Sequence, residues 1–409
     1  MSNQDQFSGS CGDNGNSESL LIENSPLKKA KIEIECEDID NIDRISQLPE
    51  ALIGYGRSNS STVHKFISLT DNVLPLLSCS TIKRFSLNFV FRYDDGVSYF
   101  PKIDKWLEFA MNKKVEDLLL NICYIVDPTE HDKPYSLQEV LCNSSSILKL
   151  NCENCRILED CVLNWTSLKS STLENLFLHD EHIKQIMSNC PQLKSLKLQE
   201  FCGFNRLHMT SPKCRRLHLI HHDHPCGDRY SFEGDICCFE IVAPHIEHLT
   251  ISGVFNHTKI KLGDLLSLKQ ANLDLICDEF NEMDEHIVKD LLVSVPCANE
   301  LILSSWFIKV ISNLMLEEED VSLSLLECRW LTITFVFQNF CSPTRQPLKV
   351  DSRGTCLPTN LSLRPKKKVL VFQQFLKFLL EHAINLEKLV IVLEHKECNR
   401  CSTNTSYDE

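Results

Sequence analysis

Glycine is scarce, with 12 residues in a chain of 409. No Gly-rich stretch has the form of a phosphate-cradling loop and no Gly-x-Ser-x-Gly elbow is present, so two well-marked enzyme motifs are missing. Basic residues are also in deficit: Lys and Arg total 42 against 56 Asp and Glu, a formal charge of −14. Phosphate affinity comes mainly from Lys and Arg, so no nucleic-acid partner is expected. No unbroken apolar run reaches membrane-spanning length, so no membrane partner is expected either. The opening MSNQDQFSGSCGDNGNSES is polar and lacks the apolar core of a secretory signal. The expected location is therefore the cytoplasm or nucleus.

Cysteine, by contrast, is abundant: 21 residues, which without a signal peptide meet a reducing compartment. Cys123, Cys161, Cys214 and Cys328 fall inside apolar repeats, where a thiol acts as a small hydrophobe. The sequons at Asn143 and Asn164 are then chance matches. At 43% hydrophobic the chain has ample material for a core. Residues 1–42 are polar and acidic and read as a disordered tail. Lys28, Lys29 and Lys31 within it are either a short import patch or, diluted by Glu33, Glu35 and Glu37, plain solvated charge.

From about residue 80 one pattern recurs: apolar-x-x-apolar-x-apolar. Its clearest copies are Leu173/Leu176/Leu178, Leu193/Leu196/Leu198 and Leu386/Leu389/Ile391. Looser copies are Ile82/Phe85/Leu87, Val115/Leu118/Leu120, Cys214/Leu217/Leu219, Ile246/Leu249/Ile251, Leu268/Ala271/Leu273, Ala298/Leu301/Leu303 and Cys328/Leu331/Ile333. In SSILKL only Leu148 and Leu150 stand out. The last two anchors of each copy, two residues apart, share one face of a short strand, and the first packs beneath it from the preceding bend. One such unit cannot bury its face alone, so copies must stack. Central anchors recur at intervals from 20 residues, Leu176 to Leu196, to 33, Phe85 to Leu118, before a final jump of 58 from Leu331 to Leu389 that has room for a lost repeat around residues 340–368. A leucine-rich repeat runs about 20–29 residues, so several copies carry insertions.

Between the strands, SLQEVLCNSS, DEHIKQIMSNCPQ, DEHIVKDLLVSVPC and FQQFLKFLLEHA read as helices, the first three with Ser136, Asp180 and Asp284 as N-caps. The expected fold is α/β: a leucine-rich-repeat solenoid curved as a horseshoe, strands on the concave face and helices outside. DRISQLPEALI, residues 43–53, precedes the repeats. Ile45, Leu48, Leu52 and Ile53 recur there at helical spacing and Pro49 suits a first turn, so the segment reads as an amphipathic cap for the array.

Asp43-Arg-Ile-Ser-Gln-Leu-Pro49 resembles the opening of the F-box in the plant F-box/leucine-rich-repeat family. FPKIDKWLEFAMNKKVEDLLL, YSLQEVLCNSSSILKLNCENC and IKQIMSNCPQLKSLKL are similar to family segments in the same order, and NLEKLVI is similar to its last repeat or FBD-like tail. The resemblance covers roughly 43–395 and implies a substrate-recognition protein of an SCF-type (Skp–cullin–F-box) ubiquitin ligase. Its repeats would bind a protein target, and the remnant residues Ile45, Leu48, Pro49 and Leu52 would contact a Skp-type adaptor. Only residues 43–53 of the box are matched, and GYGRSNSSTVHKF reads as a linker. The alternative is a repeat-only binding module that cannot reach the ligase. The expected organisation is a tail over 1–42, the remnant over 43–53, a linker over 54–65, repeats over 66–395 and a polar tail over 396–409.

The residue between the last two anchors of each copy points to the concave side. That column reads Leu119, Lys149, Phe177, Lys197, His218, Thr250, Asn272, Ile302, Thr332 and Val390, and from Lys149 to Thr332 it is the expected substrate-binding face, too varied for a polyanion. Cys152/Cys155 and Cys398/Cys401 are Cys-x-x-Cys pairs far apart in sequence. HHDHPC, with His221, His222, His224 and Cys226, and with Cys237 and Cys238 nearby, is the better zinc candidate but reads more simply as a loop. No metal, cofactor or catalytic residue is expected.

Overall fold

The computed structural model describes residues 29–36, 51–52, 60–92, 99–125, 134–221, 237–254, 258–263 and 265–276, most of 288–311, residues 328–338 and most of 373–396. Successive repeats each add one strand to a single 13-stranded sheet. It opens with β1 (Lys29–Cys36) and β2 (Ala51–Leu52), which pair antiparallel. Next come β3 (Ile82–Arg92), β4 (Asp117–Ile125), β6 (Lys149–Glu153) and β8 (Ser170–Glu174). β9 (Ser195–Gln199), β11 (Arg216–His221), β13 (His248–Val254) and β15 (Gln270–Ile276) continue it. β16 (Glu300–Ser304), β17 (Trp330–Gln338) and β18 (Lys388–Lys396) complete it. From β3 onward every neighbour is parallel, in the order of the chain.

Register explains the repeat. Leu118, Leu150, Ser171, Leu196, Leu217, Leu249, Ala271, Leu301, Leu331 and Leu389 lie level across successive strands. Two residues further on, Leu120, Cys152, Leu173, Leu198, Leu219, Ile251, Leu273, Leu303 and Ile333 form a second buried row. The first anchors, among them Val115, Ile147, Leu168, Leu193, Cys214 and Ile246, are buried beneath them. In two copies the register differs from the sequence reading. Ile147/Leu150/Cys152 replaces Leu148/Leu150, and Leu168/Ser171/Leu173 replaces Leu173/Leu176/Leu178. The slot in β8 is filled by Ser171, small enough to be buried at 2% exposure, while Leu176 and Leu178 are buried in the turn that follows.

The chain leaves several strands through a left-handed residue. Asn154, Asn175 and Glu200 have φ of 59°, 53° and 48°. Their amides donate to the carbonyls of Glu174, Gln199 and Ile220 on the next strand, at 3.1, 2.8 and 2.9 Å. Gly253, inside β13, has φ +104° and lies against β11 so closely that a Cβ would meet His221 O at 1.9 Å.

Returns differ along the array. α1 (Ser60–Val73) and α2 (Phe100–Asn112) cover the first repeats. Trp106 Nε1 donates to Asp71 Oδ1 at 2.9 Å and Lys102 Nζ to the other oxygen, tying the two helices. β5 (Tyr135–Ser136) and β7 (Cys155–Arg156) pair, with the single-turn α3 (Glu139–Cys142) between them in sequence. α4 (Asp180–Asn189) buries Ile183, Ile186 and Met187. In the middle, where helices were expected, the outer layer is a second parallel sheet of β10 (Arg206–His208), β12 (Cys237–Val242) and β14 (Thr258–Gly263). Leu207, Phe239, Ile241, Ile260 and Leu262 are its buried hydrophobic residues among those described. Helical residues return around 288–311 and 373–381. Among the described residues, no helix is long and apolar enough to cross a membrane.

The N-terminal boundaries also differ. Residues 29–36 of the expected tail form β1, because KAKIEIEC alternates and turns Ile32 into the core at 1% exposure. The expected linker already contains the start of α1, at Ser60. Leu52 lies in β2 opposite Lys29, not on a helix. Ile45, Leu48 and Pro49 lie outside the described residues.

Gly253→Ala should lower stability by about 1–3 kcal/mol or more, because the new Cβ meets strand backbone at a φ that L residues avoid. Gly263→Ala, whose nearest new contact is 3.5 Å, should be close to neutral; thermal melts of the two variants check the contrast.

Candidate functional site

Side chains between the buried rows emerge on the open face of the sheet, in three rows. The central one reads Ser86, Leu119, Asn151, Thr172, Lys197, His218, Thr250, Asn272, Ile302, Thr332 and Val390, level across neighbouring strands. Lys197, His218, Thr250, Asn272, Ile302 and Thr332 are thus brought together as the sequence reading expected. Lys149 lies on the same face but in the row before, level with Asp117 and Ser170. Phe177 is off this face. It bridges Arg156 and Cys202 beyond the ends of the strands, because the register of LENLFL slips as described above.

The rows on either side were missed, although period-2 alternation locates them two residues from the central row. The row before carries Arg84, Asp117, Lys149, Ser170, Ser195, Arg216, His248, Gln270, Glu300, Trp330 and Lys388. At its N-terminal end charge is paired internally. Arg84 Nη2 meets Asp117 Oδ2 at 2.9 Å, with Glu35 at 4.0 Å, and Lys149 reaches Asp117 at 3.9 Å. Hydrogen bonding to Asp117 holds the Arg84 guanidinium above its ordinary value. The row after is tied by amides: Asn121 Nδ2 donates to Glu153 Oε2 at 2.6 Å, Asn154 Nδ2 to Asn121 Oδ1 at 3.0 Å, and Gln199 Nε2 to Glu174 Oε1 at 2.8 Å.

The middle of the face is cationic. Lys197 and His218 are level on β9 and β11, with Arg216 and His248 alongside in the row before. His248 Nδ1 lies 3.0 Å from Gln270 Oε1. Burial, with Lys197, Arg216 and His248 adding repulsion, holds His218 below the ordinary histidine value. Asn272 Oδ1 is buried and, among the described residues, meets no donor. Toward β18 the face turns apolar, with Ile302, Val390 and a Trp330 that is 49% exposed.

Six of the described cysteines belong to the core. Cys142, Cys152, Cys155, Cys190, Cys214 and Cys328 are buried, and burial pushes the Cys190, Cys214 and Cys328 thiols up to about 11. Cys123 and Cys161 are half-buried. His221 ends β11, whereas His222, His224, Cys226, Cys398 and Cys401 lie outside the described residues. Among the described residues no group of three or more His, Cys, Asp or Glu side chains could hold a metal ion. A groove of about 290 Å³ lies off the open face, lined by Thr81, Lys83, Lys114, Glu116 and Ser146 among others.

With the strand–return repeat and its in-register rows in place, comparison with known proteins is decisive. The leucine-rich-repeat domain of the At1g61320/AtMIF1 type matches residues 73–338, well over half the chain. The chain belongs to this family. Its relatives are plant F-box/leucine-rich-repeat proteins. The F-box protein At5g03100 of Arabidopsis thaliana is 28% identical over 223 residues, 52% of this chain and 65% of the relative. The F-box/LRR-repeat protein At3g03360 of the same plant is 30% identical over 250 residues, 58% of this chain and 47% of the relative. The chain thus spans about half to just under two thirds of the length of these two relatives.

The His218 imidazole should titrate, by NMR, with a midpoint below the ordinary value of about 6.5. Its neutral form therefore dominates at pH 7, and the face gains charge on acidification. Lys197→Met should move the midpoint upward yet leave it depressed, because burial, the larger cause, remains.

Proposed function

We propose that this protein is a substrate-recognition subunit of an SCF-type ubiquitin ligase. The repeat sheet curves as a horseshoe, and its open face is the concave surface that holds a protein target. The observation that carries this reading is the set of chemically varied side chains aligned strand by strand on one uncovered face of a family member. A row that runs from charge through hydroxyl and amide to aliphatic suits a specific polypeptide better than a small molecule or a uniform polyanion. The role is one of binding, with no catalysis and no cofactor, in the cytosol or nucleus. The segment 43–53 contacts a Skp-type adaptor through Ile45, Leu48, Pro49 and Leu52.

A second reading, a repeat-only module that binds a partner without reaching the ligase, is favoured by Leu52, which pairs in β2 against Lys29 and is thereby engaged within the sheet. Pull-down of a Skp-type adaptor separates the two. Under the ligase reading the intact chain retains adaptor and a chain lacking residues 43–53 loses it. If only a version with a complete F-box grafted on captures adaptor, the repeat-only reading replaces it.

A further inference from the structure

We infer that the open face across β8, β9, β11 and β13 docks an acidic segment of the partner protein, a short run of Asp or Glu side chains held by Lys197 and Arg216, with Lys169 and Lys194 along the adjoining edge. The inference rests on the protein-binding reading above and names the chemistry of what is bound.

It begins from an asymmetry in pairing. Several other cations of the array have carboxylate partners: Arg84 and Lys149 share Asp117, Arg206 meets Glu240, Arg329 meets Glu387 and, bordering this region, Arg215 and Lys269 share Glu247. Among the described residues, Lys169, Lys194, Lys197 and Arg216 meet none. Lys169 and Lys194 immediately precede Ser170 and Ser195, which lie level with each other and with Arg216, so two cations of the face, Lys197 and Arg216, have two more at the edge where β8 and β9 begin. In a chain of net charge −14, such a cluster is the reverse of the background, and it raises the local concentration of anionic groups.

The facing groups agree. Glu174, on the far row, is already bound by Gln199 Nε2, and the central and preceding rows of β8 to β13 hold Ser170, Thr172, Ser195, Lys197, Arg216, His218, His248 and Thr250, with no carboxylate. Their hydroxyls suit a polypeptide main chain. Four strands at about 4.8 Å spacing span about 14 Å, the length of about four extended residues. No Phe, Tyr or Trp stands on the open face of these strands to stack bases, which favours a peptide over a nucleic acid.

Fluorescence anisotropy on the full chain tests this, with labelled oligo-glutamate, its oligo-glutamine counterpart, a phosphoserine counterpart and a single-stranded oligonucleotide. The expected result is binding of oligo-glutamate but not oligo-glutamine, weakened about tenfold or more by Lys197→Glu with Arg216→Glu and by raising salt from about 50 to 200 mM. Lys377→Glu, on a return segment where Lys377 faces Glu381 at 3.8 Å, should leave binding unchanged. Lys197→Gln with Arg216→Gln should show the same direction with less effect, which guards against misfolding of the reversed variant. Equal binding of oligo-glutamine, indifference to the double variants, binding of the phosphoserine peptide alone, or tighter binding of the oligonucleotide would each overturn the inference. The adaptor pull-down on the same preparations keeps the two ideas apart. Lost peptide binding with adaptor capture intact sinks only the acidic segment, and the converse sinks only the link to the ligase.

Discussion

Everything in this molecule depends on the contact between one inward side chain and its counterpart a strand away. A single strand with its bend exposes nearly as much apolar surface as it covers. Only when Leu196 lies between Ser171 and Leu217, and Leu217 between Leu196 and Leu249, is each shielded on both sides. Parallel pairing in strict register is the arrangement that repeats this contact without accumulating offset. The left-handed residues after β6, β8 and β9 serve the same end, since their amides bond to the next strand and set the step to it.

The return segments are free to vary because they need only roof the inward rows. Some returns wind into α1, α2 and α4. Others run extended as β10, β12 and β14, in segments such as Cys237–Val242 that are rich in β-branched and aromatic residues. The Phe201, Phe204 and Phe239 rings pack there with centroids 5.3–5.6 Å apart, supplying bulk that helices supply elsewhere. The open face is freer still. It answers to no packing demand, and along the array it passes from internally paired charge to unpaired cations to an apolar end.

Much of the fold was legible in the sequence, because the three-anchor spacing is a direct image of strand geometry. It failed where composition and position part company. At LENLFL three leucines advertise a strand that the chain places five residues earlier, with Ser171 in the anchor slot. Burial of a small hydroxyl leaves no apolar signature. β1 was hidden by its charges: in KAKIEIEC the lysines and glutamates are the solvent side of an alternating strand, and a charge count sees only a tail. The central row of the face was readable except at those slipped copies. Arg216, His248 and Trp330 carry no mark in the three-anchor spacing, although the same alternation exposes them two positions from the residue between anchors.

The antiparallel start of the sheet bears on how the proposed adaptor segment is held. Residues 37–50 connect two points on the same strand, since Cys36 ends β1 and Ala51 returns to pair with Ala30. β1 is fastened to β3 through six aligned residues, Lys31 to Cys36, whereas β2 grips β1 through two. In the sequence, Ile45, Leu48 and Pro49 thus fall between two pairings of very unequal extent. Releasing Ala51 and Leu52 would undo two aligned pairs and leave intact the six by which β1 is anchored to the repeats.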